Sequence, residues 1–380
     1  MRHRLWQLVL CLLCAIALVS CTGARSDSGS EIVIGEFGSL TGTTATFGIS
    51  TKNGIDMAID GINKSGGLLG KQVRVMVEDD QGKPEEAQTV VTKLITKDQV
   101  IAVLGEVASS RTMAAAPVAQ QNGIPLISPS STNPKVTQTG DYIFRVCFID
   151  PFQGLVMAKF ATNTLKVKNV AVLRDIKNDY SVGLAGVFIE NFKSMGGNVV
   201  ANESYSEGDT DFSAQLTSIK AKNPQAVFLP GYYTEVGLVV RQAKKLGLTV
   251  PFMGGDGWDS PRLIEIGGEA LNGSYYSNHF SVSDPSPAIQ KFVSDYKARY
   301  GETPDALAGL GFDAASILFD AIKRANSTDG AKIRDAIAQT KDFPGVTGKI
   351  TLDKDRNAVK PAVVLQVKEG TLNYVETITP

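Results

Sequence analysis

From Glu31 onward, short apolar runs alternate with stretches in which apolar residues recur every three or four positions. Residues 32–35 read as a strand, and Ile55, Ala58, Ile59 and Ile62 recur at helical spacing up to Gly66-Gly67. Val73, Val75 and Val77 alternate as a strand, Val90, Val91, Leu94 and Ile95 mark a helix, and 100–104 read as a buried strand. The same order then returns. A strand over 169–173 leads into a helix face of Leu184, Val187, Phe188, Phe192 and Met195 that stops at Gly196-Gly197. A strand over 199–203, a helix carrying Phe212, Leu216 and Ile219, and a strand over 226–229 follow. The two double-glycine stops lie 130 residues apart, so the second run reads as a duplicate of the first βαβαβ unit. Beyond it come a strand at 250–253, a strand at 124–127 having closed the first run, and helices over 289–300 and 314–325. A hairpin of 363–367 and 372–378 turns at Glu369-Gly370. This alternation predicts an α/β protein of two Rossmann-like lobes, each with a parallel sheet. Open sheets of this kind bind ligands beyond the carboxyl ends of their strands. Attention falls on the loops at 38–48, 105–111, 128–134 and 254–259.

The first 20 residues follow another pattern. Arg2, His3 and Arg4 precede an almost wholly apolar stretch from Leu5 to Val19, the form of a secretory signal. It ends in Leu18-Val19-Ser20-Cys21, which resembles the bacterial lipobox, in which the chain is cut before a Cys that is then lipidated. Residues 1–20 are therefore expected to be removed, Cys21 to carry lipid, and 21–30 to act as a polar tether. An ordinary signal peptide or an uncleaved anchor is the plainer alternative. Cys11 and Cys14 have redox spacing but lie inside the apolar leader. That leaves Cys21 and Cys147, and Cys147 lies in an apolar run, where a buried small side chain is expected. The protein is thus expected outside the cytoplasm, held to a membrane by lipid alone.

Composition narrows the chemistry further. At 380 residues, 43% hydrophobic and 20% charged, the chain has material for two folded domains. A net charge of −1 gives no footprint for nucleic acid. Its two histidines, one in the leader, are poor material for a zinc site or a His-dependent triad. SGGLLGKQ (65–72) misses a phosphate loop at Ser65 and Gln72 and reads as a helix stop, and GLGFDA (309–314) lacks the strand of a dinucleotide fingerprint. No cofactor, no metal and no catalytic residue is expected. His279, among Tyr275, Tyr276 and Phe280, reads as structural.

The polar loops carry more. Ala108-Ser109-Ser110-Arg111-Thr112 opens a helix, where hydroxyls and free N–H groups suit a carboxylate or simply form an N-cap. Pro117 predicts that this helix starts late or kinks. The loop SPSSTNP (128–134) is stiffened by Pro129 and Pro134 and offers the hydroxyls of Ser130, Ser131 and Thr132. Asp256 stands between glycines, where backbone can approach a ligand closely, or where a turn aspartate would sit. A carboxylate facing hydroxyls and N–H groups would fit a zwitterion.

Together these segments resemble the type I periplasmic binding proteins, in the branch that binds the branched-chain amino acids leucine, isoleucine and valine. The resemblance is carried by GSLTGTTATFG (38–48), GGLLGKQV (66–73), VLGEVASSRT (103–112), IPLISPSSTNP (124–134), Arg145, Asp150, Gln153-Gly154, Tyr180, PGYYTEVG (230–237) and FMGGDGWDS (252–260). It implies two lobes joined by three crossings that close on a ligand, a Venus-flytrap, and a solute handed to an ABC permease. The implied lobes are 31–149 with 280–357 and 150–279 with 358–380. The implied carboxylate grip is Ser109 with the N–H of Thr132. The ammonium grip is the carbonyl of Ser130, the hydroxyl of Thr132, and Asp256. Phe47, Tyr180 and Tyr232 form aromatic walls, with Ser131 and Gly257 beside them. The sequence departs from the family at Asp256, where relatives often carry Glu, and at Trp258, expected to shrink or reshape the pocket. The family's small disulfide has no counterpart, Asp80 and Ala108 standing about where its cysteines would be.

The resulting expectation is a monomeric, lipid-anchored receptor for an apolar α-amino acid that serves an importer. A sensor of amino acids, amides or small carboxylates would use the same fold, although no signalling segment follows Pro380. A hydrolase or oxidoreductase is disfavoured by the missing base, metal and phosphate loops.

Overall fold

The structure is a computed structural model, and it describes residues 31–380. The leader, the lipobox and Cys21 lie outside the described residues.

The first repeat runs β1 (Glu31–Gly38), α1 (Ala45–Lys64), β2 (Gln72–Asp79), α2 (Pro84–Thr96), β3 (Val103–Leu104), α3 (Ser109–Gln121), β4 (Leu126–Ser128), α4 (Lys135–Gln138) and β5 (Ile143–Arg145). Its sheet has the order β2-β1-β3-β4-β5, with β1, β3, β4 and β5 parallel. The second repeat runs α5 (Asp150–Lys159), β6 (Asn169–Asp175), α6 (Asp179–Ser194), β7 (Asn198–Tyr205), α7 (Ser213–Ala221), β8 (Ala226–Phe228), α8 (Tyr233–Lys245), β9 (Phe252–Gly254), α9 (Pro261–Gly267) and β10 (Tyr275–Asn278). The rest comprises α10 (Pro287–Tyr300), α11 (Ala306–Ala325), α12 (Gly330–Ala338), β11 (Phe343–Gly345), β12 (Gly348–Leu352), β13 (Ala358–Val359), β14 (Ala362–Lys368) and β15 (Thr371–Ile378). The second sheet has the order β15-β14-β10-β9-β8-β6-β7. Its β6 to β10 strands pair in parallel, and the final hairpin adds two antiparallel strands.

The inner parallel strands are buried on both faces, as Leu126–Ser128 and Ala226–Phe228 show. Val170 to Leu173 are fully buried between Leu184, Phe188 and Phe192 of α6 and the helices opposite. Gly66 and Gly196 take φ of +101° and +84°, so the double glycines are helix stops, and the phosphate-loop near miss is one of them. Two expectations are corrected. Helix α3 begins at Ser109 and runs through Pro117 to Gln121, neither late nor broken there. Helix α11 begins at Ala306, eight residues before the expected face, because Asp305 caps it by accepting the N–H of Ala308.

Candidate functional site

Both sheets end their strands toward one cleft. On the first wall, β3 leads through 105–108 into α3. Its N-cap is Ala108, which gives no side-chain cap, so Ser109 and Ser110 are spared that duty. Ser109 Oγ accepts the N–H of Asn133 at 3.1 Å and faces the cleft. The backbone N–H groups of the first helical turn have no intrahelical partner, and such a terminus favours an anion.

Loop 128–134 lies beside it and is held from behind. The fully buried Arg145 donates to the carbonyl of Ser131 at 2.6 Å, to the carbonyl of Pro134 at 3.4 Å and to Thr137 Oγ1 at 3.3 Å. The loop alternates. Ser130 and Thr132 line the cavity, whereas Ser131 turns inward. Ser131 Oγ lies 3.0 Å from the carbonyls of both Glu106 and Val107 and 2.7 Å from Thr112 Oγ1. Its expected side-chain role at the ligand is therefore corrected to a brace between the two loops.

The second wall is aromatic and acidic. Tyr180 at the start of α6 and Tyr232 before α8 stack at 5.5 Å with an interplanar angle of 8°. Phe47 of α1 meets Tyr232 edge-on at 5.3 Å. Tyr180 Oη accepts the N–H of Gly257 at 3.1 Å. Burial pushes both phenols up, so they stay neutral donors. A Cβ on Gly257 would come within 2.8 Å of the Gly231 carbonyl and 2.9 Å of Tyr232, so only glycine fits. Asp256 lies beside it, with Ser130 Oγ 3.3 Å from Oδ2 across the cleft.

Phe47, Ser109, Ser130, Thr132, Tyr180, Tyr232, Asp256 and Gly257 thus line one cavity, eight of the nine expected positions. The free space between its walls is only about 10 Å³, far below the roughly 300 Å³ at which ligand pockets begin, so the cleft is closed down in this conformation. The residues missed by sequence reasoning are Val107 and Leu307, which add aliphatic surface. Leu307 was hidden by the late reading of the start of α11. Trp258, expected to reshape the pocket, is corrected. Its indole is fully buried, donates to the Leu229 carbonyl at 3.0 Å and borders a separate, open cavity of about 560 Å³. Two acids on that second cavity are already engaged, Asp259 by Tyr276 Oη and Ala306 N and Asp305 by Ser50 and Ala308 N.

Polar contacts close the cleft at its rims. Ser110 Oγ both donates to Asp179 Oδ2 and accepts the N–H of Asp179, each at 3.0 Å, and Asn133 Nδ2 donates to the Asp179 carbonyl at 2.9 Å. On the other rim Thr46 Oγ1 and Ser260 Oγ lie 2.9 Å apart, and Thr234 Oγ1 donates to the Thr43 carbonyl at 2.7 Å.

Behind the wall sits Asp150, fully buried, with neither carboxyl oxygen in a well-formed hydrogen bond. Burial pushes its carboxyl up to about 8; the Thr132 hydroxyl and Arg145 pull the other way and Asp256 adds to the rise. Cys147 is buried as expected, and burial pushes its thiol up to about 12. Among the described residues no group of three His, Cys, Asp or Glu side chains is placed to hold a metal.

Comparison with known proteins decides the family. A family model described as periplasmic binding protein matches residues 31–371. The chain belongs to the periplasmic binding protein family. A relative named Leu/Ile/Val-binding protein BraC3, from Rhizobium johnstonii, is 33% identical over 324 residues, 85% of this chain and 87% of the relative. Among solved structures, the leucine binding protein LivK of Thermotoga maritima is 42% identical with a TM-score of 0.89, covering 92% of this chain and 99% of that one. The branched-chain amino acid transporter substrate-binding protein LivJ of Streptococcus pneumoniae, solved with isoleucine, is 36% identical with a TM-score of 0.88 over 92% of this chain and 100% of that one. The two-lobed α/β fold and the solute-binding role follow from this membership. The family consists of extracytoplasmic substrate-binding proteins rather than enzymes, and among the described residues no helix is long and apolar enough to cross a membrane.

Proposed function

We propose that this periplasmic binding protein captures an aliphatic α-amino acid of the branched-chain class and delivers it to an ABC importer. The observation that carries the reading is the polarity of the cavity. Asp256 stands on one wall, and Ser109 with the start of α3 stands on the other. Phe47, Val107, Leu307 and the tyrosine pair lie between them. A zwitterion matches both ends: its carboxylate at Ser109 and the N–H of Thr132, its ammonium at Asp256, the Ser130 carbonyl and the Thr132 hydroxyl. The remaining surface is apolar, which favours an aliphatic side chain.

In this reading the lobes are 31–149 with 280–357 and 150–279 with 358–380, and they close as a monomeric trap. The lipid-bearing Cys21 holds the protein at the membrane beside its permease. The names of BraC3, LivK and LivJ support the ligand class. The test is a thermal-shift panel of the protein amino acids followed by calorimetry of the best. Leucine, isoleucine or valine is expected to raise the melting temperature most and to bind one to one. A panel in which no α-amino acid stabilises the protein would overturn the reading.

A further inference from the structure

The Asp256 carboxyl is held by more than the cavity wall. Ser130 Oγ reaches it from the cavity side, at the long distance of 3.3 Å. Two shorter bonds come from residues that do not line the cavity. Gln153 Nε2, from the first turn of α5, donates to Oδ1 at 2.8 Å, and His279 Nε2, just after β10, lies 3.0 Å from Oδ2. Both side chains are buried. A carboxylate only accepts, so the proton in the second bond belongs to Nε2. His279 Nδ1 is buried without a partner, so a second ring proton would have no acceptor. The ring lies against Phe148, 3.9 Å between centroids at 22°, which fixes its plane.

We infer that Gln153 and His279 are positioning residues that orient Asp256 through two neutral N–H donors, leaving its whole negative charge for the ammonium of the ligand. The inference rests on the amino acid reading above. A lysine or an imidazolium at either place would orient the carboxylate equally well, yet cancel the charge the ligand needs. The Asp256 carboxylate turns about two side-chain torsions. Without such a frame it would have to find its orientation on binding, at a cost in affinity. The groups facing His279 agree with a neutral ring. Burial lowers its basicity and Lys360 acts in the same sense, against Asp256 and Asp259. Asp150, Cys147 and Tyr180 also face Asp256 and add no positive charge. Close packing keeps the frame rigid, since a Cβ on Gly255 would come within 3.0 Å of Gln153 Nε2 and 2.5 Å of Tyr180 Oη.

The chain has two histidines, so in the full-length protein carrying His3→Gln one imidazole remains to be read by nitrogen-15 NMR. The expected spectrum is a neutral ring with its proton on Nε2 from pH 6 to pH 8, and its Nε2 signal moves when L-leucine is added. In calorimetry, His279→Phe is expected to weaken L-leucine about tenfold or more and 4-methylpentanoate, its deaminated counterpart, less than threefold. His279→Gln, which restores an N–H donor, is expected to recover most of that loss. Gln153→Met is expected to follow His279→Phe. A proton on Nδ1, an imidazolium at pH 6 to 8, or equal losses for leucine and its deaminated counterpart would overturn the inference. Wild-type protein that binds no branched-chain amino acid would overturn the functional reading instead, and the tautomer would then decide the frame by itself.

Discussion

At the scale of single residues, the two ends of the cavity are separable by mutation. Asp256→Asn keeps the shape but removes the charge that an enclosed ammonium requires, and an unpaired buried charge costs roughly 3–5 kcal/mol. Amino acid affinity is therefore expected to fall on the order of a hundredfold or more, with far less change for the deaminated acid. Ser109→Ala removes a hydroxyl from the other end and is expected to weaken the amino acid and its deaminated acid alike. Calorimetry of both variants against the pair checks the assignment. If Asp256→Asn lowers both ligands equally, Asp256 is a turn residue and not the ammonium partner. Ser131→Ala serves as the contrast. It takes the Ser131 hydroxyl from the Val107 carbonyl, whereas the Glu106 carbonyl keeps Ser128 Oγ at 2.7 Å, so its expected loss is about 1–3 kcal/mol of stability, read by denaturant melts, with affinity little changed.

Among elements, the cleft is shut by contacts between helix starts. Asp179 opens α6 and shares three hydrogen bonds with Ser110 and Asn133 across the cleft, accepting two and donating one. Only two of them use its side chain or depend on Ser110, so a pair of variants separates the parts. Ser110→Ala and Asp179→Ala are each expected to favour the open form and to lower affinity several-fold, with equal melting temperatures in the absence of ligand. Small-angle scattering should show a larger radius of gyration at subsaturating ligand; an unchanged titration of the radius would exclude the latch. The repeat that builds these elements was legible because strands buried on both faces and helices buried on one leave different periodicities, as in 169–173 and Leu184 to Met195. The three-stranded sheet of β11, β12 and β13 was not, since its strands are two to five residues long and barely alternate. The cavity wall was legible where a strand ran into a polar loop, at Ser109, Ser130 and Thr132. Gln153, noted only for the resemblance, and His279, which reads as structural, left no local signal of contact with Asp256. They lie 103 and 23 residues from Asp256 in sequence, and only the fold brings them together.

For the whole molecule, buried acids set a pH dependence that the site alone would not reveal. Burial pushes the carboxyls of Glu36 and Asp150 up to about 8 and those of Asp80 and Asp305 up to about 7, from ordinary values of 4.5 for Glu and 3.8 for Asp. The folded protein therefore keeps protons that the unfolded chain has already lost above about pH 5. Stability from each such group is full below its unfolded value and is lost as pH rises through its folded value, with a limiting slope of about 1.4 kcal/mol per pH unit. Two buried bases oppose this outside the same window. Burial lowers His279, so folding disfavours its charge below about its ordinary value of 6.5, and it lowers Lys360 from 10.5 to about 8, which matters above that pH. Between pH 6.5 and 8 the acids dominate. Ligand-free protein is expected to melt at a higher temperature at pH 6.5 than at pH 8 in scanning calorimetry. Asp150→Asn, which supplies a neutral group of the same shape, is expected to remove part of the difference by raising the melting temperature at pH 8. Equal melting temperatures of the unaltered protein at the two pH values would show that the buried acids do not dominate there, and a variant that melts lower at pH 8 would show that the Thr132 hydroxyl and Arg145 outweigh the burial of Asp150.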